Sequence, residues 1–125
     1  MRTPVFLTQK QVKQLHKEII ERFGGHHGIR DTALFEGAIS HAYQVYHYTQ
    51  RDLFDIASAY AYHIAQACFD GNKRTGVAAA LLFLELNGIP TSFNSLPLYE
   101  AMMAVAEKRM TRINLARLLR ELCFT

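Results

Sequence analysis

The chain has 125 residues, half of them apolar and a fifth charged, which excludes a low-complexity protein and favours one globular domain over residues 1–125. A formal net charge of +3 is too small to indicate a nucleic-acid-binding surface, so we expect no direct binding to nucleic acid. The N-terminus lacks the apolar core of a signal peptide, and the longest apolar run, residues 77–84, is too short to cross a bilayer. We therefore expect no contact with a membrane.

The two cysteines form no C-x-x-C pattern, and nothing in the chain indicates export. We interpret both as reduced thiols in a cytoplasmic protein, because disulfide bonds are rare in that compartment.

Helix signals begin near the N-terminus. Thr8 and Gln11 have the spacing of a capping box, which predicts a helix that ends at the glycine pair of residues 24–25. A second helix is predicted to begin at an N-cap provided by Asp31 or Thr32. Both helices carry apolar side chains at helical spacing, which indicates that one face of each is buried.

The segment of residues 42–51 is ambiguous. Its tyrosine and valine content favours either a short strand or an irregular loop. Asp52 then caps a third helix with an apolar inner face. The next helix, residues 73–87, is apolar almost all round, which is typical of a helix at the centre of its domain.

Two more helices are predicted after the stop signal of Asn87 and Gly88. Ser95 caps the first of them, and the second begins near Thr111. We expect residues 90–95 to form a loop, with a short strand at residues 91–93 as the alternative. The chain as a whole therefore predicts an all-α fold of about six helices around the central helix.

The turn before the central helix concentrates groups that bind phosphate. Asp70 is a hard oxygen ligand suited to Mg²⁺, and Gly71 lets the backbone approach a ligand closely. Asn72 caps the helix or holds a phosphate, while Lys73 and Arg74 add positive charge at a helix N-terminus that already attracts anions. The five residues together predict a site for the phosphates of a nucleotide.

An ordinary turn explains the same residues in another way. Asp-Gly is frequent in turns, asparagine is a frequent N-cap, and a Lys-Arg pair is common on surfaces. Against this reading, residues 31–107 contain only three Lys or Arg residues, and two of them stand together in this turn. Such a concentration of charge favours a binding site.

Two separated stretches resemble one known family. The sequences FDGNKRT at residues 69–75 and ALLFLELNG at residues 80–88 are similar to the Doc (death-on-curing) branch of the Fic/Doc superfamily. The stretch FGGHHGIRD at residues 23–31, followed by LFEGA, looks like the same branch. The resemblance covers roughly residues 6–122, and the order of the predicted helices agrees with it.

The resemblance implies a Fic/Doc-type bundle that uses ATP. Most Fic proteins transfer AMP to a hydroxyl side chain, whereas the Doc branch is associated with phosphoryl transfer to a translation factor, such as an elongation factor. Doc-like proteins are typically toxins, each blocked by an antitoxin whose tail folds on binding. The family motif places Asp70 as the ligand of Mg²⁺ and the stretch Gly71, Asn72, Lys73 and Arg74 around the nucleotide. The second arginine of AMP-transferring members falls on Val77, which favours the Doc branch.

The sequence departs from the family where the general base should stand. Counted without gaps, the motif histidine falls on Gln66 and the motif phenylalanine on Cys68. Alternatively, two residues of the motif are missing, and in both registers the histidine is absent. Gln66 cannot accept a proton, Cys68 accepts one only as a thiolate, and His63 is a conceivable displaced base.

Three classes of function therefore remain open. The first is an impaired but active transferase, which moves either a phosphoryl group or AMP. The second is a catalytically dead Doc-like protein that binds nucleotide, antitoxin or both. The third is a helical domain without a nucleotide site.

Overall fold

The structure is a computed structural model that describes residues 3–29, 31–49, 52–66 and 72–124, without the side chains of residues 48, 49 and 72. Its six helices are α1 (Gln9–Phe23), α2 (Thr32–Thr49), α3 (Leu53–Ile64), α4 (Asn72–Leu86), α5 (Leu96–Ala106) and α6 (Arg112–Cys123). Since the described residues contain no strand, the predicted all-α fold is confirmed. None of the described helices is both long and apolar enough to span a membrane.

The predicted capping box begins α1. The Thr8 hydroxyl accepts a hydrogen bond from the Gln11 amide at 3.1 Å, and the Gln11 side chain accepts one from the Thr8 amide at 2.8 Å. The helix ends where Gly24 takes a positive φ of 87°, as the glycine pair predicted. Val12, His16 and Ile20 form the buried stripe of this helix.

Helix α2 contradicts the strand or loop that we predicted for residues 42–51. Residues 42–49 continue the helix and form neither a strand nor a loop, while residues 50 and 51 lie outside the described part of the chain. Asp31 provides the N-cap, because its carboxylate accepts a hydrogen bond from the Leu34 amide at 3.0 Å. The physical reason for the long helix is its buried stripe, which keeps helical spacing to the end and outweighs the strand preference of the tyrosines: Phe35, Ala38, Ala42 and Val45.

Helices α3 and α4 form the centre of the fold together. Helix α3 packs against α2, α4 and α6, while α4 packs against α1, α3 and α5. The predicted central helix is therefore present but shares its position with α3, whose residues 56–61 are all buried. A Cβ atom built on Gly76 of α4 would lie 2.7 Å from the carbonyl oxygen of Ala61 on α3, so the two helices touch through their backbones.

The C-terminal end of α4 anchors the N-terminal segment. Asn87 lies just beyond the helix, so the predicted end at residue 87 is one residue too long. Its side-chain oxygen accepts a hydrogen bond from the Val5 amide at 2.7 Å, and its side-chain nitrogen donates to the Val5 carbonyl at 3.0 Å. Gly88, at a φ of 84°, reverses the chain after the helix.

The last two helices begin close to their predicted positions. Thr111 caps α6, since its hydroxyl accepts a hydrogen bond from the Asn114 amide at 3.2 Å. Ser95 occupies the N-cap position of α5, but its side chain makes no capping bond, and Asn94 accepts from the Leu96 amide at 3.1 Å in its place. Residues 91–93 form no strand.

Candidate functional site

The segment that joins α3 to α4 carries most of the predicted site residues. Residues 67–71, which include Cys68, Asp70 and Gly71, lie outside the described part of the chain, as does the side chain of Asn72. Their predicted roles therefore stay predictions. The structure does place three members of the site, which are Gln66, Lys73 and Arg74.

A cavity of about 230 Å³ lies between the end of α3, the beginning of α4 and the end of α5. Gln66 and Lys73 both line it, so the fold brings the expected position of the general base next to one of the predicted phosphate-binding cations. The cavity is smaller than a typical pocket for a whole ligand. The other residues that line it are Tyr62, Ala65, Met102, Val105, Ala106 and Lys108.

Gln66 ends α3. Its backbone amide donates a hydrogen bond to the His63 carbonyl at 3.2 Å, and its side-chain nitrogen donates to the Tyr62 carbonyl at 3.1 Å. Both carbonyls belong to the last turn of α3, so the side chain serves as a cap for that helix. An amide held in this way has no site that takes a proton near neutral pH.

Lys73 and Arg74 are neighbours in sequence but lie on different faces of α4. Lys73 lines the cavity, whereas the guanidinium carbon of Arg74 lies 4.2 Å from the centre of the Phe23 ring at the end of α1. Stacking on an aromatic face occupies the plane of the guanidinium and leaves the N–H groups at its edge available to an anion. Phe23 therefore holds Arg74 at the beginning of α4, a role that sequence analysis missed.

Thr75 is a second residue that sequence analysis missed. It is fully buried in the first turn of α4, and its hydroxyl has no hydrogen-bond partner among the described residues. A buried hydroxyl without a partner costs about 1–3 kcal/mol. The beginning of α4 therefore contains a polar group, the Thr75 hydroxyl, that lacks a hydrogen-bond partner among the described residues.

His63 does not line the cavity. Its ring packs against that of His41 on α2, with the ring centres 4.0 Å apart. Burial, together with the nearby charges of His41 and Arg112, lowers the pKa of His63 to about 4. A histidine with so low a pKa is neutral at pH 7 and is a weak base, so this environment disfavours His63 as a displaced general base.

Arg112 of α6 lies near enough to this histidine pair for its charge to lower both pKa values, while its hydrogen bonds go to other residues of α3. Its guanidinium donates hydrogen bonds to the Ser58 hydroxyl at 3.1 Å and to the Asp55 carbonyl at 3.2 Å. The Asp55 carboxylate lies 3.8 Å from the same group, and burial raises the pKa of that carboxyl. These contacts join α3 to α6.

No metal centre can be assembled from the described residues. Among them, no three His, Cys, Asp or Glu side chains come close enough together to hold a metal ion. The predicted ligand Asp70 belongs to the segment outside the described residues. Binding of Mg²⁺ at Asp70 therefore stays a prediction.

Comparisons with known proteins agree with the resemblance stated above. Residues 6–84 match the family model described as Fic/DOC family. The chain is also similar to "Protein kinase doc" of Escherichia phage P1, with 30% identity over 119 residues, which cover 93% of this chain and 94% of the relative. The matched family region extends from the segment before α1 into α4 and includes both Gln66 and Lys73.

Proposed function

Since this chain belongs to the Fic/DOC family, we propose that it is a Doc-like toxin of a toxin–antitoxin pair whose α4 N-terminus binds the phosphates of ATP. The reaction is phosphoryl transfer from ATP to a hydroxyl side chain of a translation protein, such as an elongation factor, in the cytoplasm. The observation that carries the proposal is the cavity shared by Gln66 and Lys73. The partner is an antitoxin whose tail folds on binding to the toxin.

The described donors fit the phosphates. Lys73 and Arg74 are both exposed, and neither has a carboxylate partner among the described residues. They flank the N-terminus of α4, where free amide groups and the helix dipole favour an anion. Mg²⁺ held by Asp70 would neutralise charge on the phosphate oxygens, as it does in other phosphoryl transferases.

Transfer requires a destination for one proton. The bond from the γ-phosphorus to its bridging oxygen breaks, a bond to the substrate hydroxyl oxygen forms, and the hydroxyl proton must leave. Gln66 cannot accept that proton, and loss of a general base slows such a step by about 10²–10⁴-fold. We therefore expect ATP binding with impaired transfer.

A catalytically dead binding protein is the second candidate. The capping role of the Gln66 amide and the low pKa of His63 both favour it, because an amide does not take up a proton at neutral pH and a histidine with a pKa of about 4 is a weak base. AMP transfer is a third possibility with less support. Val77, at the position of the second arginine of AMP-transferring members, is buried in the core and offers no cation there.

Calorimetric titration with Mg²⁺-ATP tests the binding proposal. We expect wild-type protein to bind and Lys73→Ala to lose about 10–100-fold in affinity, which is the effect of removing a hydrogen bond to a charged group. Lys10→Ala, which removes an exposed lysine of α1, is the matched control and should bind as wild type does. A folded wild-type protein that binds no Mg²⁺-ATP would refute both nucleotide-binding candidates.

Labelled ATP then separates the candidates. Transfer of label from γ-labelled ATP to a protein of a cell lysate supports a kinase, whereas transfer only from α-labelled ATP supports an AMP transferase. Binding without transfer of either label supports the catalytically dead protein. Each result also defines the residual activity against which variants are measured.

A further inference from the structure

The end of α5 has an unusual backbone. Lys108 has a φ of 61°, and it is the only residue other than glycine with a positive φ in the described part of the chain. The chain turns there through hydrogen bonds from the Lys108 amide to the Val105 carbonyl at 3.0 Å and from the Arg109 amide to the Ala104 carbonyl at 2.7 Å. Glycine is the usual residue at this position of a helix end, because a side chain is strained there.

No described contact of the Lys108 side chain offsets this strain. The adjacent carboxylate, Glu107, pairs with Arg109 at 3.2 Å, and Lys108 has no acidic partner among the described residues. Strained residues that persist without a local benefit are concentrated at functional sites. The position of Lys108 in the fold is therefore informative.

Lys108 lines the same cavity as Lys73. Lys73 belongs to α4, whereas Lys108 lies in the turn just beyond α5, and the apolar side chains of Met102 and Val105 line the same cavity. Two positively charged side chains that border one cavity favour an anion in it, because an anion there can accept a charged hydrogen bond from each of them.

We propose that Lys108 is a second phosphate-binding residue, which with Lys73 holds the phosphate chain of ATP from the side of α5. The inference rests on the proposed nucleotide binding and adds a residue that lies outside the motif. It also explains why a strained backbone is kept at this position, because the hydrogen-bonded turn that ends α5 fixes the position of the Lys108 side chain more firmly than a loop does.

Two substitutions separate binding from stability. Lys108→Gly removes the charge and relieves the backbone, so we expect the melting temperature to rise by about 3 °C while affinity for Mg²⁺-ATP falls about tenfold. Lys108→Arg keeps a cation at the strained position and should retain binding. Arg109→Gln is the matched control, since it removes one positive charge from the next residue, which does not line the cavity.

Calorimetry with Mg²⁺-ATP on the full chain decides between the outcomes. Weaker binding by Lys108→Gly alone supports the inference. If wild type binds and Lys108→Gly binds equally well, or if Arg109→Gln weakens binding as much, the inference is overturned and the proposed function stands. If wild type, in which Lys73 and Lys108 are both intact, binds neither Mg²⁺-ATP nor any other nucleotide, both proposals fall together.

Discussion

Gly76 on α4 and Ala61 on α3 are in backbone contact, because a Cβ atom on Gly76 would lie only 2.7 Å from the Ala61 carbonyl oxygen. The contact lies close to the end of α3 and the beginning of α4, between which the candidate site is built. The distance between the two central helices therefore depends on the absence of one methyl group, and the positions of Gln66 and Lys73 depend on that distance.

Gly76→Ala should destabilise the protein. The added methyl group meets backbone, which cannot move aside as a flexible side chain can, so we expect a loss of about 1–3 kcal/mol in the free energy of unfolding. Gly37→Ala is the matched control, because a Cβ at Gly37 of α2 meets nothing within 4 Å and alanine is the better helix former. Urea denaturation of both variants should give opposite signs, and equal signs would contradict the close contact.

Phe23→Leu should weaken nucleotide binding without unfolding the protein. The Phe23 ring is 55% exposed, and its main described partner at the site is the Arg74 guanidinium at 4.2 Å. Loss of an exposed cation–π contact of about 0.5–1 kcal/mol predicts a two- to fivefold loss of affinity for Mg²⁺-ATP. Phe23→Tyr keeps the aromatic face and should bind as wild type does, whereas equal binding by Phe23→Leu would show that the stack does not position Arg74.

Stability should fall as the solution becomes acidic, because of His63. Its pKa is lowered from 6.5 to about 4 in the folded protein, so below pH 6.5 the unfolded chain takes up a proton that the folded chain does not. The free energy of unfolding should then decrease between pH 6.5 and pH 4 and level off below, with a slope well under the limiting value of about 1.4 kcal/mol per pH unit because His63 is only partly buried and solvent screens its charge. His41, whose pKa burial also lowers, contributes in the same direction.

His63→Gln isolates this effect. Arg112, whose charge acts on both histidines, and Asp55, which lies 3.8 Å from Arg112, are common to both proteins, so the difference between the two pH profiles reports on His63. Urea denaturation from pH 7 to pH 5 should show a shallower decline for the variant. Parallel profiles would contradict the burial of a neutral His63.

Local signals in the sequence predicted most of the fold. Three helices begin with a side-chain oxygen that accepts a hydrogen bond from the amide three residues later, at Thr8, Asp52 and Thr111. Each of these bonds depends only on residues that are close in sequence, so a local pattern is enough to predict it. The strand or loop prediction for the segment of residues 42–51 was wrong over residues 42–49, because the outcome depended on burial against other helices, which a local preference for strand does not record.

The candidate site was predictable only where it is local. Gln66 and Lys73 are only seven residues apart in the sequence, and the motif pointed to both. Lys108 was missed because only the packing of α5 brings it to the cavity, and no sequence pattern marks a lysine at a glycine position of a helix end. The separation of Lys73 from Arg74 could have been foreseen, since successive residues of a helix point about 100° apart.

The central claim is a nucleotide-binding site that lacks its proton acceptor, and transfer from γ-labelled ATP by wild type and Gln66→His tests it most directly. Both proteins should be compared at saturating Mg²⁺-ATP with the same lysate, so that differences in affinity do not enter. We predict that the variant transfers label at least about 100-fold faster than wild type, because the histidine supplies the missing base. Wild-type transfer as fast as that of Gln66→His would contradict the claim.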